Sequence, residues 1–322
     1  MKIVTPGGSG QVGTLLARAF QARGDEVVVL SRGPQDAPWR VVPWDAKSLG
    51  PWAAELDGAD VVINLAGRSV NCRYGEENRR QILDSRVDST RIVGEAIAAA
   101  RKPPKVWLQS STATIYAHRF DAPNDELTGI VGGTESDAPD TWRFSTEVAR
   151  AWEEALEQAS TPHTRKVALR SAMVMSPGRG GIFDTLLGLV RKGLGGTSGS
   201  GRQFVSWIHE ADFVAAIDWL IAHEELSGAV NISSPNPLPN ADFMRDLRRA
   251  WGAQIGLPAT AWMLEIGAVF LRTETELILK SRRVFPGRLL SSGFSFQFPD
   301  WQGAAQDLCS QARHRPGDQA HA

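Results

Sequence analysis

The chain has 322 residues, of which 42% are hydrophobic and 22% charged, enough apolar material for one large core or two modest ones. A short peptide or a disordered tail is excluded. Lysine and arginine number 35 against 36 aspartates and glutamates, a net charge of −1, so no global field draws the chain to nucleic acid or to an anionic membrane.

Cys72 and Cys309 are the only cysteines, and neither opens a Cys-x-x-Cys pair. Neither a disulfide framework nor a structural zinc site is indicated, and a reducing cytoplasm is the expected compartment. No run reaches the roughly 18 apolar residues of a membrane span. The most apolar late stretch, around Trp262 to Leu271, is interrupted by Glu265 and Gly267 and reads as a core helix.

In chain order, runs rich in Val, Ile and Leu read as strands at Lys2 to Thr5, Glu26 to Leu30, Asp60 to Leu65, Val106 to Ser110 and Val167 to Arg170. Helical stretches alternate with them. In the first, Val12, Leu15, Leu16, Ala19 and Phe20 fall on one face; others run near Glu76 to Ala100 and Trp142 to Glu157. This alternation predicts right-handed βαβ units and an α/β fold, a Rossmann-type doubly wound parallel sheet covered on both faces.

After about Met175 the rhythm changes, with glycine-rich stretches at 176–181 and 193–201 and a proline-rich one at 234–239. The expected division is a dinucleotide-binding domain over 1–175, with returning segments near 205–233. Those include a helix from about Asp212 to His223 and a strand at Val230 to Ser233. A smaller C-terminal substrate lobe follows over 176–308, then a polar, frayed tail over 309–322.

Directly after the first strand stands Gly7-Gly8-Ser9-Gly10-Gln11-Val12-Gly13, opening the first helix. Glycines there let the chain turn sharply, bring backbone amides against a pyrophosphate at the positive helix terminus, and pack helix on strand. With a strand before and a helix after, the pattern marks a dinucleotide site. The second strand ends in Ser31-Arg32, where an NAD site carries an acid for the ribose 2′-hydroxyl. A hydroxyl and a guanidinium suit a 2′-phosphate instead, so NADP(H) is the expected cofactor. Asn64-Leu65-Ala66-Gly67 ends a further strand on the edge where ligands sit in open α/β sheets.

Together these segments resemble the extended short-chain dehydrogenase/reductase superfamily, and more specifically its atypical epimerase-like branch of the NAD-dependent epimerase/dehydratase type. Further residues carry the resemblance to about residue 308: Asp84-Ser85-Arg86-Val87 with Thr90, Trp152-Glu153, Gly199 to Gln203, Ser206-Trp207-Ile208-His209 with Asp212, Asn231 with Pro235, and Arg283-Val284-Phe285-Pro286 with Gly293-Phe294. The resemblance implies an NADP-type cofactor and a C-terminal lobe over the nicotinamide. It also implies that Arg86, with Gln81 one turn before it, faces the cofactor, and that Ser110 and Ser111 lie beside it.

The superfamily's Tyr-x-x-x-Lys is absent. The chain has two tyrosines, Tyr74 and Tyr116, followed four residues later by Asn78 and Phe120, while Phe144 and Val148 stand in the tyrosine and lysine slots. Hydride transfer to a carbonyl still needs a proton donor or a strong hydrogen bond at the developing alkoxide. Thr112, in the superfamily's Ser/Thr slot, and Tyr116 are the catalytic candidates. Trp207 to Asp212 match the aromatic-Ile-His-x-x-Asp segment of nucleotide-sugar epimerases, whose phosphate-contacting arginine slot is Val205 here. Arg73, Arg202, Trp207 and His209 are the substrate-binding candidates, with Arg68 a further cation for an anionic pocket.

The six histidines form no His-x-x-x-His, so no metal is expected. The 11 tryptophans are scattered, which fits core packing and not nucleic-acid stacking. The expected function is an NADP(H)-dependent oxidoreductase or epimerase-like enzyme on a small carbonyl or hydroxyl compound. The alternative is a non-catalytic NADP(H)-binding sensor, to which loss of tyrosine and lysine points. Oligomeric state is left open.

Overall fold

The architecture comes from a computed structural model that describes residues 1–135, 138–260, 263 and 274–314. The chain divides into two compact units: Met1–Ile115, Arg143–Ser171 and Val214–Val230 form the first, and Tyr116–Trp142, Ala172–Phe213 and Asn231–Ala322 the second. Segment 116–142 therefore clusters with the later part of the chain.

In chain order the first part reads β1 (Lys2–Pro6), α1 (Gln11–Ala22), β2 (Glu26–Ser31), β3 (Arg40–Pro43), β4 (Val61–Asn64), α2 (Glu76–Ala99), β5 (Val106–Thr112), α3 (Asp140–Gln158) and β6 (Arg165–Ser171). Then come β7 (Met173–Met175), α4 (Ile182–Arg191), β8 (Phe204–Val205), β9 (Trp207–His209), α5 (Glu210–Ala222), β10 (Gly228–Ile232), β11 (Leu238–Pro239) and α6 (Asn240–Trp251).

A seven-stranded sheet runs in the order β10-β6-β5-β4-β1-β2-β3, and its pairings from β6 across to β3 are parallel. Reversal of strand order beside β1 is the switch point of a doubly wound fold, where ligands sit outside the carboxyl ends of the strands. Val4 pairs with Val28 on one side and Val62 on the other, and all three are fully buried. Strands apolar on both faces fit a sheet covered on both sides. The first core joins Val4, Val28 and Val62 to Leu30, Ile97 and Trp107.

Strand β3 was not expected. It has four residues, none of them fully buried, and closes the edge of the sheet with a proline, which an edge tolerates and a centre does not.

In the second unit β7 pairs with β9 in parallel and β8 with β11 antiparallel. Its core gathers Trp207, Phe243, Leu247, Trp301 and Leu308. Phe243 stacks on Trp301 at 4.0 Å between centroids, and Trp207 meets the same ring edge-on at 5.0 Å.

One expectation changes here. The frayed tail from 309 is replaced, as far as Arg313, by the helix Trp301–Arg313, which buries Cys309 and Ala312 completely; two small apolar residues at helical spacing outweigh the polar composition. The core helix expected around Trp262 to Leu271 lies, Met263 apart, outside the described residues. Both cysteines are free thiols, and no described helix is long and apolar enough to cross a membrane.

Candidate functional site

At the carboxyl end of β1 the backbone bends at Gly7, whose φ of +72° is a region that favours glycine. Its N–H donates to Leu30 O at 2.9 Å, and Gly8 N–H closes a turn onto Thr5 O at 3.0 Å. A Cβ on Gly7 would lie 2.5 Å from Ala66 Cα, and one on Gly13 would collide with the Gly8 backbone. Gly10 caps α1 without any side-chain hydrogen bond, so the first-turn amides keep their positive end for an anion. Ser9, Gly10 and Gln11 are exposed, and Val12 is half-buried on the first turn.

Beside this cradle lies a cavity of about 90 Å³ lined by Gly7, Ser9, Ser31, Arg32, Ala66 and Gly67, all anticipated from sequence. Trp44, Ala46, Arg68 and Ser85 complete its described lining. Among these residues are two guanidinium groups and no carboxylate, a donor set that fits a 2′-phosphate. Trp44 and Ala46 escaped sequence reasoning because β3, which delivers them, is so short. The local signal was Trp44-Asp45-Ala46. Ala46 takes a φ of +64°, the only non-glycine in that region among the described residues. Asp45 holds the turn by accepting the Lys47 and Ser48 N–H groups at 2.9 Å each. The Ser48 hydroxyl and these amides hold its carboxyl down, to about 2.

The turn after β4 is shaped from inside. Asn64 is fully buried. Its Nδ2 donates to Gln109 Oε1 at 2.9 Å and its Oδ1 accepts Ala66 N–H at 3.1 Å, while Leu65 N–H donates to Pro6 O. Asn64 and Leu65 thus position the Ala66-Gly67 wall. Arg86 supports it from α2, donating to Arg68 O at 3.1 Å and Ile82 O at 2.9 Å over the Trp152 ring. Burial pushes its guanidinium down, to about 10, so it stays charged at neutral pH with no carboxylate partner among the described residues. Gln81 is exposed and donates to Glu77; five residues of helix set it about 140° around the axis from Arg86.

Strand β5 ends in the expected hydroxyl row. Ser111 donates to Glu153 Oε1 at 2.6 Å, and Glu153 takes a two-pronged bond from Arg170. That bond uses the Ser111 hydroxyl proton and leaves its oxygen able to accept. Ser110 is half-buried, and its carbonyl accepts Gln109 Nε2. Thr112 Oγ1 accepts Thr114 N–H at 3.1 Å, which leaves its own proton to donate.

Tyr116 is 2% exposed, and its hydroxyl donates to Asn231 Oδ1 at 2.8 Å. Asn231 is in turn tied to Phe285 O and to Glu126. The expected acid is therefore a structural hydrogen-bond donor. The other tyrosine lies elsewhere: Tyr74 packs in one cluster with Phe144 and Val148, its ring 5.2 Å from Phe144 edge-on. Arg79 crosses the same Phe144 ring at 4.9 Å.

Two of the four substrate candidates prove to be core. Trp207 is fully buried against Trp301. His209 is 1% exposed, stacked on Phe298 at 3.9 Å, with Nε2 at 3.1 Å from Asp307 and Nδ1 accepting Ala211 N–H. All three residues of β9 are buried, so the strand is covered on both faces and both side chains are out of solvent. Arg73 and Arg202 are exposed, Arg202 lying 6.0 Å from the Phe120 ring. No cluster of metal-ligating side chains occurs among the described residues.

Burial pushes the His209 imidazole below its usual value against the opposing pull of Asp307. The unfolded chain takes up that proton near the ordinary value of about 6.5, whereas the folded ring resists it. The stability tied to the neutral ring is thus present above that pH and lost as pH falls. Melting temperatures measured below about pH 6.5 should fall more steeply for the natural protein than for His209→Gln; parallel slopes would contradict this account.

The parallel sheet, glycine cradle and cationic cavity define a Rossmann-type dinucleotide-binding protein. The NAD dependent epimerase/dehydratase family matches residues 3–233, and the chain belongs to that family. A domain of unknown function, DUF1731, matches residues 259–308. The human epimerase family protein SDR39U1 is 31% identical over 311 residues, covering 96% of this chain and 99% of that protein. Epimerase family protein YfhF of Bacillus subtilis is 29% identical over 313 residues, covering 96% and 98%. The crystal structure of human SDR39U1 (isoform2) with NADPH superposes with a TM-score of 0.83 at 30% identity, covering 96% of this chain and 99% of that one. A nucleoside-diphosphate sugar epimerase from Corynebacterium glutamicum gives 0.74 at 29% identity, covering 96% and 58%.

Proposed function

We propose that this chain is a cytoplasmic NADP(H)-dependent oxidoreductase or epimerase-like enzyme acting on a small carbonyl or hydroxyl compound. The observation that carries the reading is the cavity beside the glycine cradle, lined by Arg32 and Arg68 with no carboxylate among its described residues. The SDR39U1 structure with NADPH supports it. When bound, the cofactor supplies a hydride.

The chain's own part is to hold the substrate oxygen and move a proton to it. Thr112, at the carboxyl end of β5, donates its hydroxyl to that oxygen. Tyr74, packed against the cluster that holds Phe144 and Val148, the residues in the superfamily's tyrosine and lysine slots, gives the proton as the alkoxide forms, and solvent restores it. Arg86, half-buried beside the Gly67 turn, balances negative charge on the cofactor.

NADPH oxidation followed at 340 nm against a panel of neutral aldehydes and ketones tests this. Thr112→Ala should lower kcat/KM about tenfold, and Tyr74→Phe should lower kcat, both with NADPH affinity unchanged. A turnover indifferent to both substitutions overturns the assignment. The sensor reading is favoured by Phe144 and Val148 in the two slots; tight NADPH binding with no turnover across the panel would select it.

A further inference from the structure

The second unit contains a cavity of about 540 Å³ between α4, α6 and the segments around 194–198 and 257–259. That volume is in the range of roughly 300–1,000 Å³ usual for small-molecule sites. Ile182, Leu186, Val205, Phe243 and Met244 form its walls, and no described lining residue carries a charge. Its mouth is rimmed by Leu189, Leu194, Leu257 and Ile278, exposed at 38%, 49%, 58% and 38%. Large aliphatic side chains gathered at one opening are an unusual use of surface, and such patches mark binding sites.

Two polar side chains, Ser198 and Asn240, interrupt the wall. Asn240, the first residue of α6, is only 6% exposed. Its Oδ1 accepts Ser198 N–H at 2.8 Å, which fixes the side-chain amide in orientation. Nδ2 has no hydrogen-bond partner among the described residues, and the side chain lines the cavity. An amide donor that faces the cavity with no protein acceptor is open to a ligand oxygen.

We propose that this cavity binds a neutral, hydrocarbon-rich molecule bearing a single carbonyl or hydroxyl oxygen, seated on Asn240 Nδ2. A sugar nucleotide is the wrong chemistry for it: two phosphates and a polyol would meet aliphatic walls with no cation, and the slot for a phosphate-contacting arginine is Val205. The apolar walls take the body of the ligand by burial, and the Asn240 amide, beside the Ser198 hydroxyl, orients its oxygen. The ligand's role as substrate rests on the oxidoreductase reading above; the binding itself does not.

The test is titration of the full-length protein with the neutral fluorophore N-phenyl-1-naphthylamine, followed by displacement with 2-decanone and separately with UDP-glucose. Saturable binding, displaced by 2-decanone and untouched by UDP-glucose, is the expected result. Leu186→Trp, which fills the cavity from a half-buried position on α4, should weaken the fluorophore about tenfold or more. Asn240→Asp keeps the acceptor for Ser198 and removes the donor, so it should weaken 2-decanone about tenfold and the fluorophore far less. Displacement by UDP-glucose, no saturable binding, or binding indifferent to both substitutions overturns the proposal. NADPH titrated in parallel controls for folding and separates the two ideas. Cofactor binding without fluorophore binding sinks the cavity alone, and the converse sinks the oxidoreductase reading alone.

Discussion

Replacing Arg32 by glutamate should lower NADPH affinity about a hundredfold while leaving NADH binding within about threefold, measured by fluorescence titration of both cofactors. Arg32 lines the small cavity together with Ser31 and Arg68. A charge-assisted hydrogen bond contributes about 1.5–3 kcal/mol, and each 1.4 kcal/mol is tenfold in affinity. Glutamate removes that bond and sets a like charge against the phosphate, whereas the ribose hydroxyl of NADH finds an acceptor in the new carboxylate. Equal losses for the two cofactors would mean that Arg32 is an ordinary solvated side chain.

Gly13→Val should weaken either cofactor by more than about a hundredfold and lower stability by about 2–3 kcal/mol, read from binding and urea unfolding together. A Cβ at position 13 collides with the Gly8 backbone, so α1 must move away from β1. That displacement pulls the first-turn amides off the pyrophosphate position, and it cannot be relieved by rotating a side chain. Gly10→Ala is the internal control: a Cβ there meets nothing within 4 Å. If it proved as damaging as Gly13→Val, crowding would not be the explanation.

Much of this was legible in the linear chain because the signals are local. A strand of Ile3 and Val4 running into Gly7, and an amphipathic helix opening at Gln11, specify a turn whose backbone geometry only glycine satisfies. Ser31-Arg32 reads equally well, since the end of β2 always falls beside the cradle in this fold. Asn64 was found, but its task was not: it lies beneath the turn, holding Ala66 N–H.

The catalytic and substrate residues were less legible because their roles depend on partners distant in sequence. Tyr116 looked like an acid until Asn231, 115 positions away, took its hydroxyl. The Ser111 proton goes to Glu153, and Trp207 and His209 are claimed by Trp301, Phe298 and Asp307 from the C-terminal segment. Tyr74, the proton donor of the proposed function, carried no signal, since no motif relates it to Phe144 and Val148 on α3.

Sequence alone determined the class of sheet, the glycine cradle and the cationic end of β2, because backbone sterics and short-range periodicity act within a few residues. Tertiary structure decided which hydroxyls stay available, which aromatics are core, and where an open amide donor faces an apolar cavity. Each of those depends on which distant group reaches a buried polar atom first, and a buried hydrogen bond, once made, commits the proton or lone pair that it uses.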